Sequence, residues 1–486
     1  MDRLTSDWFA STFSASAETL GKLSTMRGRS RELERNDPYM ENFLSDVEDN
    51  VIGPDGMALQ MKISERIGGK DVLDDAANRL IENHWYRWNQ PENFTVTGDA
   101  DGAAAMRRAV RSTARDGECI IRFVRGYENS AYGFALQFIE ADQLDENYSI
   151  ALPNGAKIDQ GVELDKWGRM VALHILAKHP GDIDGGYNQV YRERIPASDC
   201  VLVKHPKRFG ETRSAPWFAP VGKMLRMLHG YQEAEVVAAR AGAAKMAFVV
   251  SDPSAGTVPE YTGEAVDAND PKAGKYMDAA AGTIEQLPPG LKVETFDPQH
   301  PTAQYNAFCK GVLRAIASGL HVSYNHLAND LEGVNYSSLR EGKLWEREAW
   351  TKLQAWWIST VMRRVFAEWL KWCLATGKIT FENGSALPMS KFDKFNEPQF
   401  RGRRWPWVDP VKDMQAMEIA RNNGWTSDSD IIESQGGDIE DVYGQIQSDT
   451  DLAKKYGVEK MVDNKQQESQ NVEADEKDGT AKESDA

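Results

Sequence analysis

Two histidines in a polar stretch are the residues best equipped for chemistry. His321 and His326 stand five apart in HVSYNHLANDLEGVNYSS, with Asn325, Asn329 and Asp330 beside them. Imidazoles next to a carboxylate are the material of a divalent-metal or acid–base site, such as a nuclease uses. The alternative is a loop of polar side chains that meets water or a ligand and breaks no bond. The second reading is favoured, since no motif singles out any Asp or Glu as a metal ligand or an acid–base pair. His174 and His179 are also five apart, but a strand pattern turns them to opposite faces, which argues against a shared metal. The sequence contains no GxxxxGK[ST], GxSxG or HExxH, and no GxGxxG after a strand. Cys119, Cys200, Cys309 and Cys373 form no CxxC pair and indicate neither a disulfide frame nor a zinc site. No catalytic residue, metal or cofactor is expected.

The polar stretch is held between two helix signals. PTAQYNAFCKGVLRAIASGL puts Phe308, Val312, Ile316 and Leu320 at intervals of four, one helix face, with Pro301 suited to the first turn. A second helix is expected from a capping box, Ser338 with Glu341, and runs to a stop at Gly377. It carries Leu353, Trp357, Val361 and Val365 in one stripe, and its tryptophans read first as packing residues. A polar loop pinned between strong helices is placed to act rather than to connect.

The chain has 486 residues and a net charge of −17. That is room for two or three domains, and too acidic a balance to grip duplex DNA by neutralising phosphates. It does not bar a protein past which DNA must slide. Arg363 and Arg364 interrupt the best apolar run, so no membrane span is expected. The N-terminus lacks the basic start and apolar core of a signal peptide, and a reducing cytoplasmic setting fits.

Arg27, Arg29, Arg31 and Arg35 could form a nucleic-acid arm, although a solvated helix start or a subunit contact is the preferred reading. Helices are expected over 30–50, closed by Gly53 and Pro54, and over 102–115, closed by Gly117. Another, near 72–88, carries Ala77, Ile81, Trp85 and Trp88 on one face. The runs CIIRFV, GFALQFI, MVALHIL and CVLVKH between 119 and 205 indicate an antiparallel or mixed sheet. A helix over 220–246, rich in alanine, is either buried in a bundle or packed against copies of itself. It precedes a polar insert at 251–300, with strand-like GTIEQL and LKVETF, that is too long for a simple connection. Residues 405–447 give two or three short helices, with caps at Asp409 and at Ser427 or Ser429. From about 463 almost no apolar residue remains, so the tail should be disordered.

Seven stretches, in order, resemble the lambda family of tailed-phage portal proteins. They are RSRELERN (29–36), TARDGECIIRF (113–123), EADQLDEN (140–147), IPASDCVLVKHPKRFGETRSAPWFAP (195–220), YQEAEVVAARAGAA (231–244), NHLANDLEGVNYSSLREG (325–342) and RRWPWVDPVKDMQA (403–416). The resemblance implies an α+β portal fold forming a homo-oligomeric ring, usually a dodecamer, at one capsid vertex of the virion. Double-stranded DNA would pass through its centre without sequence specificity, while a separate terminase large subunit hydrolyses ATP. By the same resemblance residues 1–218 form a wing, 219–247 and 301–320 the two stem helices, and 248–300 a clip. The clip would meet terminase and later the head–tail connector proteins. Residues 321–336 would be a tunnel loop pointing at DNA, 337–400 the long helix and the rest of the wing, 401–462 a helical crown and 463–486 an acidic tail. Major capsid and scaffold proteins are further implied partners, in the host cytoplasm during assembly, and no membrane is involved.

A conduit makes the acidity intelligible. A wall that neutralised many phosphates would hold DNA and stall it, whereas a mostly acidic wall repels and centres the duplex and keeps each contact brief. Contacts should be to phosphate and shape, because all sequences must pass. His321, Tyr324, Asn325, His326 and Asn329 are the expected loop contacts, and Lys310 and Arg314 the expected cationic rings. Two rivals remain: a head–tail adaptor or other capsid ring that conducts no DNA, and a metal-dependent nuclease using the loop His and Asp residues.

Overall fold

The computed structural model describes residues 12–67, 70–182, 191–243, 247–251, 291–295, 304–405 and 410–456. The fold is α+β and divides into two units, residues 1–219 with 329–486, and residues 220–328.

The larger unit begins with helices. The single helix expected over 30–50 is two, Leu23–Asn36 and Pro38–Val47. Pro38 fits only a first turn, and the Asp37 carboxylate accepts from Tyr39 N and Met40 N at 2.9 and 3.0 Å, capping a new start. The second helix closes in a π turn, Glu48–Ile52, before Gly53 at φ 85°. Asp75–Trp88 buries Ala77, Ile81, Trp85 and Trp88, as the spacing predicts. Gly102–Asp116 ends at Gly117, φ 91°, where a Cβ would lie 2.2 Å from the Ser214 carbonyl oxygen. Only glycine fits there.

The four expected strand runs are present, and every paired strand among the described residues is antiparallel. Glu118–Arg125 lies between Cys200–Lys204 and Phe134–Glu140. Met170–Leu176 belongs to a second sheet with Arg192–Pro196 and three strands too short to read from the sequence, Val162–Leu164, Lys157–Asp159 and Ile150–Ala151. Ile120, Ile139, Leu144, Leu173, Ile175 and Leu202 join the two sheets in one apolar core. An aromatic core lies beside it, with the Trp85 ring 5.1 Å from Trp88 and 5.2 Å from Trp369.

Trp369 comes from the long tryptophan-rich helix. It starts at Tyr336, not at Ser338: the Asn335 side chain accepts from Ser338 N at 2.8 Å and is the cap. The expected Ser338–Glu341 capping box is therefore corrected, because the asparagine one turn earlier already satisfies the free N–H. The helix runs Tyr336–Trp357, widens into a π turn at Ile358–Met362, and continues Arg363–Ala375. Lys378 N bonds Cys373 O and Gly377 N bonds Leu374 O, with Gly377 at φ 65°, a Schellman stop as expected. Trp357, Val361 and Val365 are buried, and Leu353 is half-buried. Further on, Pro398–Arg401 pairs with Ala58–Met61. Helices Pro410–Asn422, Asp428–Ser434 and Ile439–Tyr456 follow, the second opened by a Ser427–Asp430 capping box.

The smaller unit holds helices Gly222–Ala243 and Tyr305–Leu320 and an antiparallel pair, Ala247–Ser251 with Leu291–Thr295. The Tyr231 ring lies 5.8 Å from Tyr305 and 5.2 Å from Phe308. The Tyr305–Leu320 helix buries Cys309, Leu313, Ile316, Ala317 and Leu320. Phe308 is exposed and Val312 only half-buried, so the expected four-residue stripe is corrected. A strict interval of four drifts roughly 40° per step around an α-helix, so its first members leave the buried face. Pro301, Asp409, most of the 251–300 insert and the 463–486 tail lie outside the described residues.

Candidate functional site

The polar stretch after Leu320 is not structureless. His321 occupies the position just past the helix with φ 59°, the left-handed conformation, and the Val322 and His321 N–H groups return to Ala317 O and Ser318 O. This is a Schellman stop with histidine where glycine is usual. Val322 and Leu327 are buried, and between them Ser323 begins a single helical turn, Tyr324–Leu327. The buried pair fixes the turn, so the polar residues between them keep set directions.

Each expected contact residue can now be placed. His321 and His326 are exposed, Tyr324 and Asn325 half-buried. Arg314 is exposed and its guanidinium carbon lies 5.4 Å from the centre of the Tyr324 ring. Lys310, one turn earlier on the same helix, is half-buried. Asn329 belongs to the larger unit and is exposed, with φ 48°. Beyond it Glu332 N bonds the Asp330 carboxylate at 3.0 Å, and Gly333 turns the chain at φ 68° toward the Asn335 cap. Thus two of the five loop residues, His321 and Asn329, hold left-handed backbone, which costs a non-glycine residue energy. Arg314 and Tyr324, predicted separately, form one unit.

The histidines do not gather a metal site. Among the described residues the one His/Asp/Glu group with ligand spacing is Glu140, Asp142 and His179, far from the loop in sequence. His174 is apart from it, with Nε2 3.0 Å from Glu163 Oε2. His179 Nδ1 accepts from Gly181 N at 3.0 Å, so the ring proton sits on Nε2, which faces Glu140 Oε2 at 3.3 Å. The carboxylates already hold cations: Arg31 reaches Asp142 at 2.5 Å and Asp116 at 3.0 Å, and Arg27 reaches Asp142 at 2.9 Å and Glu146 at 3.0 Å. Burial alone would raise the Asp142 carboxyl, but the two guanidiniums outweigh it and hold the group below the usual carboxylate range.

That network corrects the reading of two residues of the basic cluster at 27–35, Arg27 and Arg31, whereas Arg29 and Arg35 are exposed. Arg27 is 2% exposed. Arg27 and Arg31 are neither a nucleic-acid arm nor a solvated helix start, because carboxylates 85 to 119 residues further along the chain already hold them. Arg213, a residue the sequence did not single out, is wholly buried too. Its Nε donates to Glu118 Oε1 at 2.6 Å, and its other nitrogens to the carbonyls of Ala141, Leu144 and Gln160. No described helix is long and apolar enough to cross a membrane.

Comparison with known proteins bears on this geometry. Residues 1–354 match the family described as "Phage portal protein, lambda family". A "Probable portal protein" of Halomonas phage phiHAP-1 is 33% identical over 436 residues, covering 89% of this chain and 81% of that protein. "Portal protein B" of Escherichia phage lambda is 20% identical over 473 residues, covering 90% and 85%. A solved structure titled "Neck of empty GTA particle computed with C6 symmetry" aligns over 87% of this chain and 97% of its own, at 13% identity and TM-score 0.43. One titled "Neck of native GTA particle computed with C12 symmetry" covers 84% and 93%, at 12% identity and TM-score 0.43. On the match over most of its length and on the first of these relatives, the chain belongs to the lambda family of phage portal proteins, structural components of the virion's portal vertex and not enzymes.

Proposed function

We propose that copies of this portal protein close into a dodecameric ring whose channel carries double-stranded DNA into the capsid and out again. Heterologous contacts between identical subunits generate such a ring when the rotation closes. The 220–328 unit supplies the stem and clip, the clip being the docking surface for the terminase large subunit and later for head–tail connector proteins. The 321–336 loop faces the channel, and the remaining chain forms wing and crown. Scaffold and major capsid proteins are the partners during assembly in the host cytoplasm.

The observation that carries this reading is the loop itself. It has exposed imidazoles, a Tyr324 ring over which the Arg314 guanidinium of the preceding helix lies, and left-handed backbone at His321 and Asn329, and among the described residues none of these belongs to a group with metal-ligand spacing. Such a surface makes short polar contacts to phosphate without base readout. Repeated around a ring, Lys310 and Arg314 become two tiers of cations about one helical turn apart, roughly 6 Å.

Electron microscopy of the purified protein, with native mass alongside, tests the architecture: a ring with a channel wide enough for a duplex is expected. A small closed oligomer without a channel would sink the proposal. Joint substitution Lys310→Glu and Arg314→Glu tests the channel wall. Rings should still form while packaging or retention of DNA fails; a normal genome yield from intact rings would instead favour an adaptor that conducts nothing.

A further inference from the structure

We infer that Tyr324 is a positioning residue: its ring holds the Arg314 guanidinium in place, and the pair acts on passing phosphate as one unit. The inference rests on the proposed channel role of this loop and goes on to say how the contact is built.

Arg314 is exposed on the Tyr305–Leu320 helix, at the flank of the face that buries Leu313, Ile316 and Ala317. An exposed arginine samples many rotamers, and ordering it costs conformational entropy at each encounter with DNA. Here its guanidinium carbon is 5.4 Å from the Tyr324 ring centre, close enough for attraction between the cation and the ring face. The ring is itself held. Tyr324 begins the one-turn helix whose Ala328 N bonds Tyr324 O at 2.9 Å, and the turn is fixed on either side by buried Val322 and Leu327. Among the described residues Arg314 has no carboxylate partner, unlike Arg27, Arg31, Arg111, Arg115 and Arg213 of the larger unit.

This arrangement suits brief contact. A guanidinium offers its flat face to an aromatic ring and keeps its N–H edge for a phosphate oxygen pair. The ring adds no competing negative charge, so the cation stays available. A carboxylate in its place would neutralise the arginine and pass DNA no contact at all. The attraction is weak enough that the arginine can follow a phosphate a short way and return.

The test uses the full chain, supplied in trans to an infection lacking its own portal gene, with DNase-protected genomes per particle as readout. Ring formation is checked by electron microscopy and folding by thermal melting. Arg314→Ala should lower genome yield, and Tyr324→Leu should lower it by about two- to fivefold, the loss expected when an exposed cation gives up its ring face. Tyr324→Phe, which keeps the ring, should match the unaltered protein. The double variant Arg314→Ala, Tyr324→Leu should be no worse than Arg314→Ala alone. Full yield from Tyr324→Leu beside a deficient Arg314→Ala would overturn the inference and leave the channel reading standing. So would additive losses in the double variant, or a Tyr324→Phe as deficient as Tyr324→Leu. A normal Arg314→Ala would overturn this inference together with the cationic channel wall.

Discussion

Two sets of arginines in this chain look alike on paper and behave as opposites. Arg27 and Arg31 sit in a basic run, yet each is consumed by carboxylates from distant parts of the larger unit. Arg314 stands in a helical stretch with no cluster of arginines, yet it is exposed on a ring with no acid partner among the described residues. A local density of positive charge therefore says little about where a protein meets phosphate. What matters is whether the fold brings acids to those cations, and in an acidic chain it usually can. Buried or half-buried pairs specify how segments meet, at a desolvation cost that leaves them intolerant of losing one partner.

The largest effect should come from breaking the consumed set. Arg213→Met strands the buried Glu118 carboxylate and frees three carbonyls, and should cost about 3–5 kcal/mol in a chemical denaturation curve. Adding Glu118→Leu should recover part of that loss; no recovery would mean the carbonyl contacts, not the ion pair, dominate. The network around Arg31 adds a pH dependence. Because Asp142 is held below its ordinary value, its contribution is fully present above the unfolded pKa of about 3.9 and is lost as pH falls toward the folded one. Urea melts at pH 5 and pH 3 should show this loss, and Arg31→Met should flatten it.

The smallest effect belongs to the loop that follows the exposed Arg314 and should have the opposite sign. His321→Gly removes left-handed strain of about 1–2 kcal/mol at a position glycine fills well. Glycine's extra freedom in the unfolded chain returns about 0.5–1 kcal/mol, so a net gain of a few tenths to about 1 kcal/mol is expected on melting. Genome yield from rings of that variant should fall, the mark of a side chain kept for contact. A variant that is more stable and packages normally would reduce His321 to an ordinary cap.

Much of the fold was legible because its signals are local. Ala77, Ile81, Trp85 and Trp88 follow helical spacing, Gly117 and Gly377 stop helices where left-handed backbone is needed, and the strand runs are rich in branched residues. The two four-residue stripes show where legibility ends. Phe308, Val312, Ile316 and Leu320 lie on a regular α-helix, so the drift carries Phe308 into solvent. Trp357, Val361 and Val365 share the same interval but run through a π turn, whose wider winding absorbs the drift and keeps all three buried. No pattern in either segment announced which would happen. Nor did any announce the Arg31 and Arg213 networks, since their partners are chosen by tertiary fold. For the loop, polarity and position were legible, whereas the pairing of Arg314 with Tyr324 depends on the turn that Val322 and Leu327 anchor.

The Ile358–Met362 turn also bears on how this chain can change over generations. A π turn is an α-helix with one residue too many, its hydrogen bonds reaching one position further. Elsewhere in the helix, losing a residue would rotate everything beyond it by roughly 100° and pull Phe366, Trp369 and Leu370 out of the core. Within 358–362 the same deletion restores a regular helix with both flanks still facing inward. Relatives of different length should thus differ by a single residue at this point and nowhere else along the helix, a seam at which the sequence can shorten while the architecture stays as it is.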